Sequence, residues 1–287
     1  MRISRFTRLT ACLLCVMLAL VPAAGLAVPS SLTCAIVAKD DLELRPLELN
    51  QRDVVSVLDL VYEGLFQMDD NDQPQPELAY SYEFTNDGRK LKVKLRENVT
   101  FHNGRTLTSA DVIATLDYMF ELTGFDDELN SDVPTADRGL YYSTFYSIKS
   151  WEATDDYNLV FTLRRASYGS LYALAFPILP ADEVRNNMPA GTGPYQYDGY
   201  EQGASIWLTA NKNWWKKIPA IRNIRAGIYS SDDRALNAFD TQTVDVAMTR
   251  SINASRYSGS LNTFSMTART RQLEVLLGNR AYKDFKS

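Results

Sequence analysis

The chain has 287 residues, 45% of them hydrophobic and 23% charged, with a formal charge of −5. That apolar content places it among globular proteins and outside the disordered range, while the acidic balance argues against a nucleic-acid surface. A single histidine excludes most His-based metal sites and any conventional Ser-His or Cys-His nucleophile arrangement apart from one built on that residue.

Arg2, Arg5 and Arg8 open the chain with no acid among them. An apolar run from Ala11 to Leu20 follows, then Pro22 and small residues through Ala27. This is the three-part plan of a secretory signal, with a cut expected after Ala27 and with Ala24 and Gly25 as alternative last residues. The run is shorter than the ~20 residues that cross a bilayer, which disfavours a membrane anchor. Removing residues 1–27 takes away three arginines and no acids, leaving 27 Lys+Arg against 35 Asp+Glu and a formal charge of −8. Cys12 and Cys15 lie in the apolar run, so only Cys34 reaches the mature part and no intrachain disulfide is expected there.

Cys34 belongs to a β-like run, Leu32 to Val37, which predicts a buried strand cysteine. A lipid anchor on it is disfavoured because Thr33 stands where Gly, Ala or Ser is wanted. A polar loop from Lys39 to Asp53 follows, and Val54, Val57, Leu58 and Val61 then recur at helical spacing. Leu91, Val93 and Leu95 alternate with Lys90, Lys92, Lys94 and Arg96, which predicts a strand with one solvated face. Asn103-Gly104 is a turn signal. Thr108-Ser-Ala-Asp111 is a capping-box-like start to a helix carried on by Val112, Thr115, Leu116, Met119 and Phe120. The aromatic-rich stretch Tyr141 to Tyr146 has no clear period, and a strand is predicted over Asn158 to Leu163. The block Gly191-Thr192-Gly193-Pro194-Tyr195 interrupts regular structure. Ser205 to Ala210 and Ile221 to Tyr229 then read as strands, Arg234 to Phe239 as helix and Val244 to Met248 as a short strand. The mixture predicts an α/β or α+β fold.

No Gly-rich phosphate loop and no acid/base pair stands out, and His102, beside a turn, reads as a structural hydrogen-bonding residue. The sequons at Asn98 and Asn253 matter only if the source glycosylates them. Sixteen tyrosines together with Trp207, Trp214 and Trp215 supply aromatic area on the scale of a ligand-binding surface, although for any single tyrosine a core position is the commoner use.

Several blocks occur in one order: Leu60-Val61-Tyr62-Glu63-Gly64-Leu65-Phe66, Pro76-Glu77-Leu78-Ala79, Asp87-Gly88, Leu95-Arg96, and Phe101 through Val112. Phe176-Pro177-Ile178-Leu179-Pro180, Gly191 through Tyr195, Leu208-Thr209-Ala210-Asn211, Ala238-Phe239 and Val244-Asp245-Val246-Ala247 continue it. In these the chain resembles the family 5 extracellular solute-binding proteins, the receptors of dipeptide, oligopeptide and nickel ABC importers. It departs from the family pattern at Leu44-Arg45-Pro46-Leu47, at Asn213-Trp214-Trp215 and at Thr241-Gln242-Thr243, where the customary Thr-Gly-Glu turn loses its glycine.

The resemblance implies a two-lobe periplasmic-binding-protein-like fold. Residues 28–63 and 190–266 would form the main sheet of the first lobe, 64–189 an inserted subdomain, and 267–287 the start of a second lobe that stops at Ser287. The expected role is capture of a peptide or other small solute for an ABC permease driven by ATPases. The chain would work as a monomer, exported to the periplasm or cell surface, with no catalysis, cofactor, metal or nucleic acid. Candidate ligand contacts are Asn50, Tyr141, Tyr142, Thr192 and Gly193. Because an acidic anchor for a peptide ammonium belongs to the family's second lobe, the resemblance also implies weak binding by this chain alone. The same fold could instead serve as an exported sensor or interaction module, and an enzyme would need a clustered acid/base set. Export is testable directly: N-terminal sequencing of the secreted protein is expected to begin at Val28, and a start at Met1 would remove the signal.

Overall fold

The computed structural model describes residues 30–69, 71–125 and 141–257. The leader at 1–27 and the segment 267–287 lie outside the described residues. Two sheets organise the rest. The first has five strands in the order β11-β1-β10-β9-β8: β1 (Ser31–Val37), β8 (Tyr195–Glu201), β9 (Ser205–Ala210), β10 (Asn223–Tyr229) and β11 (Val246–Ala247). β1 runs parallel to both neighbours, β10 and β11, while β9 is antiparallel to β10 and to β8. The second sheet is antiparallel throughout, in the order β4-β5-β7-β6: β4 (Ala79–Thr85), β5 (Lys90–Leu95), β6 (Ile148–Asp155) and β7 (Asn158–Leu163). A small hairpin, β2 (Phe66–Met68) with β3 (Pro74–Pro76), stands between them in the chain.

β1 reads as a continuous apolar run rather than a strict alternation because both of its faces are covered. Ile36 packs in the larger core with Val54, Val57 and Leu58 of α1 (Arg52–Leu58). Ala35 packs on the opposite face with Ala235 and Ala238, from the helix Asp232–Asp240, and with Val244. Cys34 lies in β1 as the run predicts but is half-buried, not buried, at the margin of the larger core. Burial pushes its thiol up to about 11, so it is protonated and unreactive near neutral pH.

The lysines of β5 alternate outward while Leu91, Val93 and Leu95 are buried. α2 (Ser109–Thr123) starts at the expected cap: Asp111 accepts the Thr108 N–H at 2.9 Å and the Thr108 hydroxyl at 3.2 Å. The same fully buried carboxylate accepts from the Ala181 N–H (2.9 Å) and pairs with Arg105 (2.6 Å), fixing the loop before the helix and the segment after Leu179 in one step. Gly124 ends the helix in the left-handed conformation, φ 55°. The stretch Tyr141 to Tyr146 runs into a single-turn helix, α3 (Thr144–Ser147), and then into β6, which periodicity did not reveal. β6 is an edge strand with mostly exposed residues, so its sequence carries no strong alternation, whereas β4, the other edge, alternates Tyr80, Tyr82 and Phe84 with polar residues, a period the sequence reading passed over. β10 begins two residues later than predicted, and the last predicted strand shrinks to the two residues of β11.

The helix Asp232–Asp240, α4, ends in a turn that shows what the missing glycine costs. Gln242, immediately past the C-cap Thr241, has φ 57°. A side chain there is strained by about 1–2 kcal/mol, against about 0.5–1 kcal/mol of extra unfolded-state entropy for glycine. Gln242→Gly is therefore expected to stabilise the protein by about 0.5–1 kcal/mol. A higher urea midpoint with unchanged slope would show it.

Candidate functional site

In an open α/β sheet, solutes lie outside the carboxyl ends of the strands, where the following connections leave on opposite faces. Here that point falls between β1 and β10: α1, which follows β1, packs on the Ile36 face, and α4, which follows β10, packs on the Ala35 face. The rim at this edge is built from the loop after β1, the first residues of α1 and the segment after β11. The Ala38 N–H donates to the Tyr229 carbonyl (3.2 Å), joining the two strand ends. The Lys39 N–H donates to Gln51 Oε1 (2.8 Å), which folds the loop back onto the start of α1. The Val37 N–H donates to Asp53 Oδ2 (3.0 Å), and Arg250 closes on the same buried carboxylate. Lys39, Asp40, Asp41, Asn50 and Ser230 stay exposed along this rim. The set offers an ammonium, carboxylates, an amide and a hydroxyl, which suits a solute carrying both charges.

Asn50 is the one sequence-predicted contact on this rim. Thr192 and Gly193 lie at the far end of α1, beside the turn Leu60–Gly64. The Gly193 N–H donates to the Val61 carbonyl (2.9 Å), and a Cβ on Gly193 would stand 2.7 Å from the carbonyl oxygens of Leu60 and Val61. On Gly191 it would stand 1.9 Å from the Val61 oxygen. The two glycines are thus required for backbone-on-backbone packing, not for a left-handed conformation. Thr192 is fully buried and its hydroxyl lacks a partner at hydrogen-bonding geometry, although it lies near enough to Glu63 to favour that carboxylate's charged form. Tyr141 is half-buried, edge-on to Phe176 at 6.2 Å and close to Asp59; burial pushes its phenol up. Tyr142 is buried among Phe125 and Tyr146, with ring centroids 5.2 and 5.4 Å away. The structure therefore gathers Tyr141, Thr192 and Gly193 around one turn and places Asn50 and Tyr142 elsewhere.

His102 fastens the glycine block. Its N–H donates to the Gly191 carbonyl (2.8 Å) and its Nδ1 accepts from the Gly191 N–H (3.2 Å). The ring proton is consequently on Nε2, which donates to the Gly193 carbonyl (3.0 Å). Burial pushes the imidazole pKa down, in keeping with a neutral structural ring.

The same turn carries a charged knot that periodicity and spacing gave no means of assembling. Buried Glu63 accepts from Trp214 Nε1 (3.1 Å) and Trp215 Nε1 (2.8 Å) and lies 3.4 Å from Lys216 Nζ. Lys216 also reaches Glu77 at 2.8 Å and sits over the Trp215 ring at 4.6 Å, with Arg96 over that ring at the same distance. Burial above all raises the Glu63 pKa. Asp59, at the end of α1, is exposed by its surface area, yet protein atoms crowd closely around its carboxyl. That desolvation, and then the charge of Glu77, pushes its pKa up to about 6. Glu63 and Glu77 were visible only as members of sequence blocks; Asp53, Arg250 and Lys216 carried no signal.

A family model described as bacterial extracellular solute-binding proteins, family 5 middle, matches residues 73–274. Protein XP55 of Streptomyces lividans is 27% identical over 183 residues, 60% of this chain and 31% of that protein. The glutathione-binding protein GsiB of Escherichia coli K12 is 28% identical over 220 residues, 70% of this chain and 40% of that protein. Among solved structures, NikZ of Campylobacter jejuni in complex with Ni(L-His) superposes with a TM-score of 0.67 at 22% identity, covering 82% of this chain and 46% of that one. DppA of Helicobacter pylori in complex with the peptide STSA gives a TM-score of 0.64 at 23% identity, covering 79% and 48%. The chain thus spans less than half the length of each of these proteins.

The raised Asp59 pKa has a definite sign. A carboxyl whose folded pKa exceeds its unfolded value of 3.8 favours the folded state below that value and loses the advantage as pH rises through about 6. Asp59→Asn is expected to raise the urea midpoint at pH 7.5, with the gain shrinking toward zero near pH 4. Comparing variant and parent at each pH cancels the opposite contribution of His102, whose depressed pKa removes stability as pH falls below about 6.5.

Proposed function

The chain belongs to the bacterial extracellular solute-binding proteins of family 5, and from that membership we propose that it is an exported solute-capturing component of an ABC importer, with a peptide as its solute. The observation that carries this reading is the family match over residues 73–274, on a fold whose carboxyl-edge rim presents ammonium, carboxylate and amide groups together. Peptide is favoured because that mixed rim complements a zwitterion. The names of similar proteins, one glutathione-binding and one in complex with a peptide, point the same way.

In this reading the five-stranded sheet, residues 28–63 and 190–266, is the main part of a first lobe, and 64–189 is a subdomain inserted in it. The solute would lie on the rim at Asn50 and be enclosed by a second lobe. Closure would be favoured only by contacts that the solute makes with both sides at once, so this lobe contributes part of the affinity. The closed form would dock on a permease driven by ATPases. The protein's role would be binding without turnover, as membership of a family of binding proteins supports.

Mass spectrometry of what co-purifies with the protein from its native host tests the solute class. Di- to pentapeptides are expected, and Asn50→Ala is expected to weaken their retention about three- to tenfold, the effect of one hydrogen bond. An opine or a metal chelate in their place would overturn the assignment to peptides.

A further inference from the structure

We infer that Arg250 is a positioning residue for the capture rim: by neutralising the buried carboxylate of Asp53 it holds the end of β1 and the start of α1 in the arrangement that presents Lys39 and Asn50. This rests on the reading of the carboxyl edge as the rim, but its geometry stands independently.

Asp53 is 2% exposed, and Arg250 is its only cationic partner among the described residues. The two are 197 positions apart in sequence. Asp53 accepts the Val37 N–H with one oxygen and takes Arg250 on the other, so β1, α1 and the segment after β11 meet at a single carboxylate. A buried carboxylate deprived of its cation is among the costlier defects in a protein, whereas an exposed ion pair contributes little. Half of the Arg250 side chain is exposed, but its partner is not, which puts the pair in the first class.

Arg250 is itself fixed from behind. Its N–H donates to Asp232 Oδ1 (2.6 Å), and its guanidinium lies 3.6 Å from the same oxygen. The segment that follows, including the 3-10 helix Ile252–Tyr257, runs along α4 from its first turn to its last. Asp233 takes Ser251 and Asn253, and Asp240 takes Arg256. Among the described residues of this segment, Arg250 is the one whose side chain bonds to the rim, while upstream the Met248 N–H donates to the Ala35 carbonyl of β1. Position is thereby transmitted from the chain leaving β11 to the loop holding Asn50, while a strap fastened to α4 alone would leave the rim indifferent to it.

Site-resolved amide hydrogen exchange on the full chain tests the inference without any solute. In Arg250→Met the amides of Val37 and Lys39 are expected to exchange at least about tenfold faster, while those of β5 and β7 stay within about twofold of the parent. Arg250→Lys should fall between. Adding Asp53→Asn to Arg250→Met should restore slow exchange at Val37, because a neutral amide still accepts from that N–H and needs no cation. If Arg250→Met does not fold, recovery of folding in the double variant supports the inference, and failure to recover overturns it. Unchanged exchange at Val37 and Lys39, or equal acceleration in both sheets, also overturns it. The solute recovered with the protein from its native host addresses the proposed function separately: an opine or a metal chelate there counts against the peptide reading and leaves the exchange result decisive for Arg250.

Discussion

The tightest constraint in this protein is the contact between two stretches of bare backbone, Leu60–Val61 and Gly191–Gly193. Nothing larger than hydrogen fits on either glycine, since a Cβ would fall 1.9 or 2.7 Å from a carbonyl oxygen. Four hydrogen bonds reinforce the approach: two from the Gly193 and Tyr195 N–H groups to the turn, and two that His102 exchanges with the Gly191 peptide and the Gly193 carbonyl through its ring. Because the turn leads from α1 toward the antiparallel sheet and the glycine block leads into β8, this contact sets how the chain leaves and rejoins the five-stranded sheet.

Around that contact, and at two other places, the fold uses one device repeatedly. Asp53, Glu63 and Asp111 are buried carboxylates, each satisfied by N–H donors and by one cation that remains partly exposed: Arg250, Lys216 and Arg105 respectively. Two N–H groups of adjacent indoles serve Glu63, and backbone N–H groups serve the other two. Such pairs add little net stability over apolar replacements, yet losing one partner is expensive. Their effect is to specify which segments meet. Asp111 joins the start of α2 to the segment after Leu179, Glu63 joins the turn to the loop after β9, and Asp53 joins the rim to the strap.

The proposed capture role rests on the family match, and the arrangement of these devices is compatible with it. The knot at Glu63 directs its donors inward. The carboxyl edge of β1 and β10 directs Lys39, Asp40, Asp41, Asn50 and Ser230 outward from a frame of backbone hydrogen bonds. A hydrogen-bonded frame with exposed polar groups suits recognition of a small charged solute.

By itself the sequence determined the central elements. β1, β5, β7, β9 and β10 were legible because buried strands must be apolar on at least one face, and α2 was legible from Thr108 and Asp111 because a helix start needs its N–H groups capped. It also determined the family, through ordered blocks whose glycines and buried acids are fixed by close contacts, and it marked the glycine-less turn that Gln242 fills in a left-handed conformation. Only the tertiary structure decided the edges and where the candidate rim residues fall. β6 lies at a sheet margin where exposure relaxes the pattern, β8 is interrupted by a bulge between Tyr197 and Gly199, and the aromatic alternation of β4 was short enough to pass unread. Asn50 could be chosen as a rim residue from the loop it occupies. That Thr192 and Gly193 belong instead to the opposite end of α1, and that Arg250 belongs to the rim, depended on contacts between segments up to 197 residues apart. Charge pairing at such separations leaves no local trace in a sequence, because either partner alone reads as an ordinary surface residue.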